Sequence, residues 1–222
     1  QHQHHADDAQ RHGEQNHERI AQRLELHGHH HVDHEDGQGQ GQAQTGKRNA
    51  QLLVLPGRLG DHGAAIADAR GDMALESDIE TDCQPLNGLV AAMLDVCPDI
   101  HCLRDATRGG VATVLNEFAE ASNTCMRLTE TAIPVRPTVR GFSEILGLDP
   151  LYLANEGKLV AVVPGDCTEA LLAAMRAHPA GRDSRIIGEV TESPAGTVVM
   201  STLFGGERIV DMLVGEQLPR IC

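Results

Sequence analysis

From Leu52 onward, short β-branched or apolar runs alternate with stretches whose apolar residues recur at three and four, and that alternation points to an α/β fold. Strands are expected at "LLVLP" (52 to 56), "HCLRD", "MRLTE", "KLVAVV", "RIIGEV" and "TVVMS". A helix is expected over 85 to 95, with Pro85 in its first turn and Leu86, Leu89, Val90, Met93 and Leu94 on one face. A second covers 110 to 121 through Val111, Val114, Leu115, Phe118 and Ala119. A third begins near Asp166, capped by that carboxylate with Glu169 three positions on, and buries Leu171, Leu172 and Met175. The expected architecture is α/β (α+β), a sheet covered by helices on one face.

Residues 1 to 51 have a different texture. They hold ten of the thirteen histidines and most of the glutamines, with almost no apolar periodicity, so they read as a disordered, low-complexity leader or as sequence outside the native coding frame. "HGHHH" at 27 to 31 would chelate nickel or zinc in almost any conformation, which makes a metal-binding His-rich protein an alternative reading. The net charge of −14 repels phosphate backbones, and with no Trp, one Tyr and three Phe there is no platform for stacked bases, so nucleic acid is not an expected partner. No run of about 18 apolar residues is present for a membrane span, and no secretory signal opens the chain; a cytoplasmic location is expected. The six cysteines are scattered, so reduced thiols are expected. Cys97 and Cys102 lack the second pair a zinc site requires, and no metal ligands are assigned.

Four segments carry chemistry. In "DIHCLRDATRGGVATVLNEFAEAS" a strand runs through a tight loop into a helix, and Asp105, Thr107, Arg108, Gly109 and Gly110 fall in six residues. Amides at such a helix start approach an anion, and Asp105 suits a magnesium ion or a proton, although a capping turn is the commoner use of Gly-Gly. In "GLDPLYLANEGKLVAVV" the polar Asn155, Glu156 and Lys158 interrupt an apolar run. Beside Gly157, Glu156 is placed to aim into a cleft, against the plainer alternative of a solvated Glu-Lys pair. "GRLGDHG" sets Asp61 and His62 in a glycine loop, where an Asp-His pair caps a helix, binds metal or relays protons. Last, "GEQLPRIC" (215 to 222) reads as an extended tail ending in the thiol of Cys222, whose nucleophilic form Arg220 modestly favours and the C-terminal carboxylate opposes.

Taken together, "GDHG", "DIETDCQPLNGLV", "LRDATRGGVATVLNE", "IPVRPTVRGF", "LGLDPLYLANEGKLVAVV" and the terminal "PRIC" resemble the HypE family of carbamoyl dehydratases, over 52 to 222. The resemblance implies a fold like AIR synthetase and selenophosphate synthetase. In such proteins an N-terminal domain binds ATP with Mg2+ and forms a homodimer, while a C-terminal α/β domain completes the site. By the same resemblance Cys222 receives a carbamoyl group from the carbamoyltransferase HypF, and ATP-dependent dehydration leaves a thiocyanate on sulfur for the cyanide ligands of nickel-iron hydrogenase. Glu156 would accept protons, Asp105 to Gly110 would line the phosphate side, and the cyanide would pass to a HypC-HypD complex. The family's ATP-binding domain and its "DTKVV"-type segment have no counterpart ahead of "GDHG", which implies an incomplete protein. The expected divisions are therefore a leader at 1 to 51, a remnant of the N-terminal domain at 52 to 82, the C-terminal domain at 83 to 214 and the tail at 215 to 222. A catalytically incomplete, carbamoyl-accepting carrier is the alternative function.

Overall fold

The run Leu159–Pro164 has an apolar residue at every position because it forms a strand buried on both faces. The computed structural model describes residues 50–69 and 79–213. Among them a seven-stranded sheet runs in the order β2-β4-β1-β5-β3-β6-β7. Its strands are β1 (Gln51–Leu55), β2 (Cys102–Asp105), β3 (Cys125–Thr129), β4 (Leu159–Pro164), β5 (Arg185–Thr191), β6 (Thr197–Ser201) and β7 (Glu207–Ile209). The β3–β6 pair is parallel and every other pair antiparallel. The helices are α1 (Asp61–Ala69), α2 (Asn87–Val96), α3 (Gly110–Ser122), α4 (Pro137–Leu146) and α5 (Thr168–Ala177).

Strand alternation sends the two halves of the apolar runs in opposite directions. Leu53 and Leu55 of β1, with Val160 and Val162 of β4, pack with Val111, Val114, Leu115 and Phe118 of α3. Val54, Leu159, Ala161 and Val163 pack with Leu89 and Met93 of α2 and with Leu171, Leu172 and Met175 of α5. Helices therefore cover both faces of the sheet. The expected single covered face is corrected, and the unbroken apolar texture of "LLVL" and "LVAVV" is its physical counterpart. A third cluster joins Ala64 and Ala67 of α1 to Val139 and Phe142 of α4 over Leu153.

Several boundaries differ from expectation. Within the stretch expected as a remnant, 52 to 82, β1 lies between β4 and β5 and pairs with both, in one sheet with the later strands. The "GDHG" loop is instead the first turn of α1, with Asp61 its opening residue. Pro85 precedes α2 rather than entering it; Leu86 is the N-cap. Asp166 does not cap α5, whose N-cap is Cys167 with no side-chain cap bond. Helix α4 was not anticipated, although Pro137 at its start and Gly147 at its left-handed end are the usual punctuation. Among the described residues no helix is long and apolar enough to cross a membrane.

The expectation of reduced thiols fails at one pair. Cys97, just past α2, and Cys167, at the start of α5, form a disulfide with Cα atoms 6.0 Å apart. Seventy residues separate them in sequence, so no spacing rule marks the pair. Cys102 is buried, which pushes its thiol up to about 12 and makes it a poor thiolate donor. Alkylation of the denatured chain without reductant should leave Cys97 and Cys167 unlabelled, and prior reduction should expose both; peptide mass mapping reads the difference.

Candidate functional site

Three of the segments singled out in the sequence converge on one buried amide. Asn155 is 1% exposed, and its side chain makes three hydrogen bonds. Its Oδ1 accepts the Gly60 N–H at 2.9 Å, while Nδ2 donates to the carbonyls of Ala106 at 3.1 Å and Leu153 at 2.9 Å. Backbone bonds repeat the connection. Asn155 N–H donates to Ala106 O, Ala106 N–H donates to Lys158 O at 3.1 Å, and Gly63 N–H donates to Ala154 O at 3.0 Å. The turn ahead of α1, the loop after β2 and the "LANEGK" segment are thereby held as one unit.

A fourth segment, 79 to 86, has no regular structure and is fastened to that unit by side chains. Asp82 Oδ1 accepts the Glu156 N–H at 3.0 Å, and Oδ2 lies 3.0 Å from Lys158 Nζ, with both side chains buried. Gln84 Nε2 donates to Gly157 O at 3.1 Å, and Thr81 Oγ1 is 2.8 Å from His62 Nδ1. Gly157 is required by this approach, since a Cβ there would stand 2.0 Å from Asp82 O. Lys158 is thus buried rather than solvated, unlike the lysine of the plainer alternative drawn from spacing. Its ammonium is buried against Asp82, 3.0 Å away.

Beside the 79 to 86 segment lies a cleft of about 310 Å³ whose lining includes Arg58, Asp61, Asp82, Cys83, Lys158 and Arg182. Asp61 is 3% exposed and lies 3.2 Å from Arg136 Nε through Oδ2, while Oδ1 has no hydrogen-bond partner among the described residues. Burial pushes its carboxyl above the ordinary value of 3.8, a shift that Arg136 opposes and nearby Asp82 reinforces. The half-exposed pair of Arg58 with Asp183 at 3.2 Å closes another side.

The expected residues divide between these features. Glu156 is half-buried on the gripped turn, with its amide on Asp82. Asp105 and Arg108 are exposed and Thr107 half-buried; none of Asp105, Thr107, Arg108, Gly109 or Gly110 belongs to the cleft lining. Gly109 is the left-handed N-cap of α3. Gly110, also at positive φ, packs so tightly that a Cβ would stand 2.3 Å from Leu151 O and 2.6 Å from Leu153 O. Backbone packing therefore already accounts for the second glycine. Among the described residues no group of three or more His, Cys, Asp or Glu side chains converges, so no Mg2+ ligand set is assigned. Cys222 lies outside the described residues. Sequence reasoning missed Asp82 altogether, and Asp61 and Asn155 entered it without their partners. The available signal was a run of polar residues flanking an apolar strand, which marks a place but not a partner.

The model for the C-terminal domain of AIR synthase related proteins matches residues 48–201. Carbamoyl dehydratase HypE of Azotobacter vinelandii is 55% identical over 181 residues, 82% of this chain and 52% of the relative. That of Rhodobacter capsulatus is 55% identical over 175 residues, 79% and 52% of the two chains. The chain belongs to the AIR synthase related family, in its HypE branch. A crystal structure of hydrogenase maturation protein HypE superposes with a TM-score of 0.73 at 46% identity, covering 78% of this chain and 56% of that one. HypE in complex with ATP gives 0.73 at 45% identity, with 78% and 52% covered. A HypE-HypF complex gives 0.69 at 41% identity, with 72% and 52% covered. The chain spans about half the length of the curated relatives it matches.

Two outcomes follow from the buried charges. Lys158→Met strands the Asp82 carboxylate and should cost about 3–5 kcal/mol in urea unfolding, whereas removing both charges together should cost less. For Asp61, between its ordinary value and its raised one the native state keeps a proton that the unfolded chain has lost. Stability should therefore fall as pH rises through that window, and Asp61→Asn should flatten the slope in unfolding midpoints taken from about pH 4 to 7.

Proposed function

We propose that this chain acts in nickel-iron hydrogenase maturation as a carbamoyl dehydratase, turning an S-carbamoyl group on its own Cys222 into a thiocyanate with conversion of ATP to ADP and phosphate. The observation that carries the reading is the 55% identity to carbamoyl dehydratase HypE over four-fifths of the chain. The solved HypE in complex with ATP and the HypE-HypF complex support ATP as co-substrate and HypF as the partner that loads the carbamoyl group.

In this reading ATP supplies the phosphoryl group that lets the carboxamide oxygen leave as phosphate. Sulfur keeps the carbon, both N–H protons depart and a C≡N bond remains, so atoms balance. Glu156 accepts a proton from the carboxamide nitrogen. Its half-buried carboxylate sits on a turn whose backbone is held from two directions, which suits a base that must act at one atom. Asp105, Thr107, Arg108, Gly109 and Gly110 stand on the phosphate side. Cytoplasmic location, homodimer formation and delivery of cyanide to a HypC-HypD complex complete the proposal. The tail places its own thiol at high effective concentration.

A second reading follows from coverage. In it this stretch, about half the length of the relatives it matches, serves as a carrier that accepts carbamoyl without dehydrating it. Intact mass after incubation with HypF, carbamoyl phosphate and ATP separates the two. Gain of one carbamoyl group followed by loss of one water supports the dehydratase, and Glu156→Gln should stop at the carbamoyl stage. Gain without water loss in the unaltered chain favours the carrier.

A further inference from the structure

We infer that Asp82 is a positioning residue for Glu156, acting through the Glu156 backbone; this rests on the reading of Glu156 as the proton acceptor. The 156 to 158 turn bulges from a paired base. Its two ends, Asn155 N–H and Lys158 O, are both bonded to Ala106. Such a base fixes where the bulge begins and ends, but not how its middle is oriented. The 79 to 86 segment supplies that second support at each residue of the bulge. Asp82 Oδ1 takes the Glu156 N–H, Gln84 Nε2 reaches Gly157 O, and Asp82 Oδ2 pairs with Lys158 Nζ.

The choice of residue argues for more than packing. A buried ion pair is a poor source of stability, since desolvation offsets the attraction and apolar side chains of similar volume commonly serve as well. A carboxylate at 82 does what an apolar residue cannot. One oxygen neutralises Lys158 while the other, 3.0 Å from an amide, fixes the peptide plane from which the Glu156 side chain departs. Gly157 fits the same interpretation, because only a residue without Cβ lets the Asp82 backbone come this close. A carboxylate that abstracts a proton from one nitrogen tolerates little displacement, with about 1 Å of misplacement costing about 100-fold in rate.

Two double variants of the full chain separate positioning from buried charge. Asp82→Asn with Lys158→Met removes both charges and keeps an acceptor for the Glu156 N–H; Asp82→Ala with Lys158→Met removes the acceptor as well. Hydrogen exchange at the Glu156 amide should be about tenfold faster in the alanine version, with the Val160 and Val162 amides of β4 alike in both. With HypF, carbamoyl phosphate and ATP, the alanine version should lose about 100-fold in kcat for water loss relative to the asparagine version, at an unchanged KM for ATP. Equal Glu156 exchange in the two versions overturns the role of Asp82, as does faster exchange with equal kcat. Glu156→Gln read alongside tests the underlying assignment. If it dehydrates at the unaltered rate, Glu156 is not the acceptor; if the unaltered chain loses no water, the exchange comparison alone decides whether Asp82 holds the turn.

Discussion

The geometry of the site depends on the side-chain amide of Asn155. Its one acceptor faces an N–H and its two donors face carbonyls, so its orientation is dictated by its partners. A buried amide left with an unmatched group costs about 1–3 kcal/mol, and here every partner comes from a different segment or from the far side of the turn. The segments near 60, 106 and 155 are separated by tens of residues and approach only because β1, β2 and β4 are neighbours in the sheet. Asn155 converts that neighbourhood into fixed distances.

Near that amide Asp82, Lys158 and Asp61 are held out of water, while Arg136, the partner of Asp61, stays half-exposed. Asp82 with Lys158, and Asp61 with Arg136, sit beside one cleft, and Asp61 retains an oxygen with no partner among the described residues and a carboxyl raised by burial. The apolar clusters on the two sheet faces supply the main favourable contribution to folding. Against that background the polar cleft is where stability is given up for a defined arrangement, a pattern associated with functional surfaces. The arrangement falls mostly within the stretch, 48–201, that matches the C-terminal domain of AIR synthase related proteins.

Much of the secondary structure was legible because the signals are local. Each expected strand from "LLVLP" to "TVVMS" forms, since a short β-branched run has few alternatives, and the stripe through Val111, Val114, Leu115 and Phe118 buries as one helix face. Where expectation slipped, a local signal had two uses. The glycines of "GRLGDHG" suit a loop as well as a helix start, Pro85 suits a first turn as well as the position ahead of one, and Asp166 suits a cap that Cys167 occupies.

The sequence by itself determined the α/β texture from Leu52, the polar interruptions around residues 61, 105 and 155, and the family resemblance that gives them a chemical reading. Only the tertiary structure decided that both sheet faces are covered, that Cys97 meets Cys167, and that Asp82 holds the Glu156 turn while neutralising Lys158. The physical reason is range. Propensity and periodicity act over a few residues along the chain, whereas the partners of Asn155, Asp82 and Cys97 are chosen by strand order and by the requirement that buried polar groups find one another.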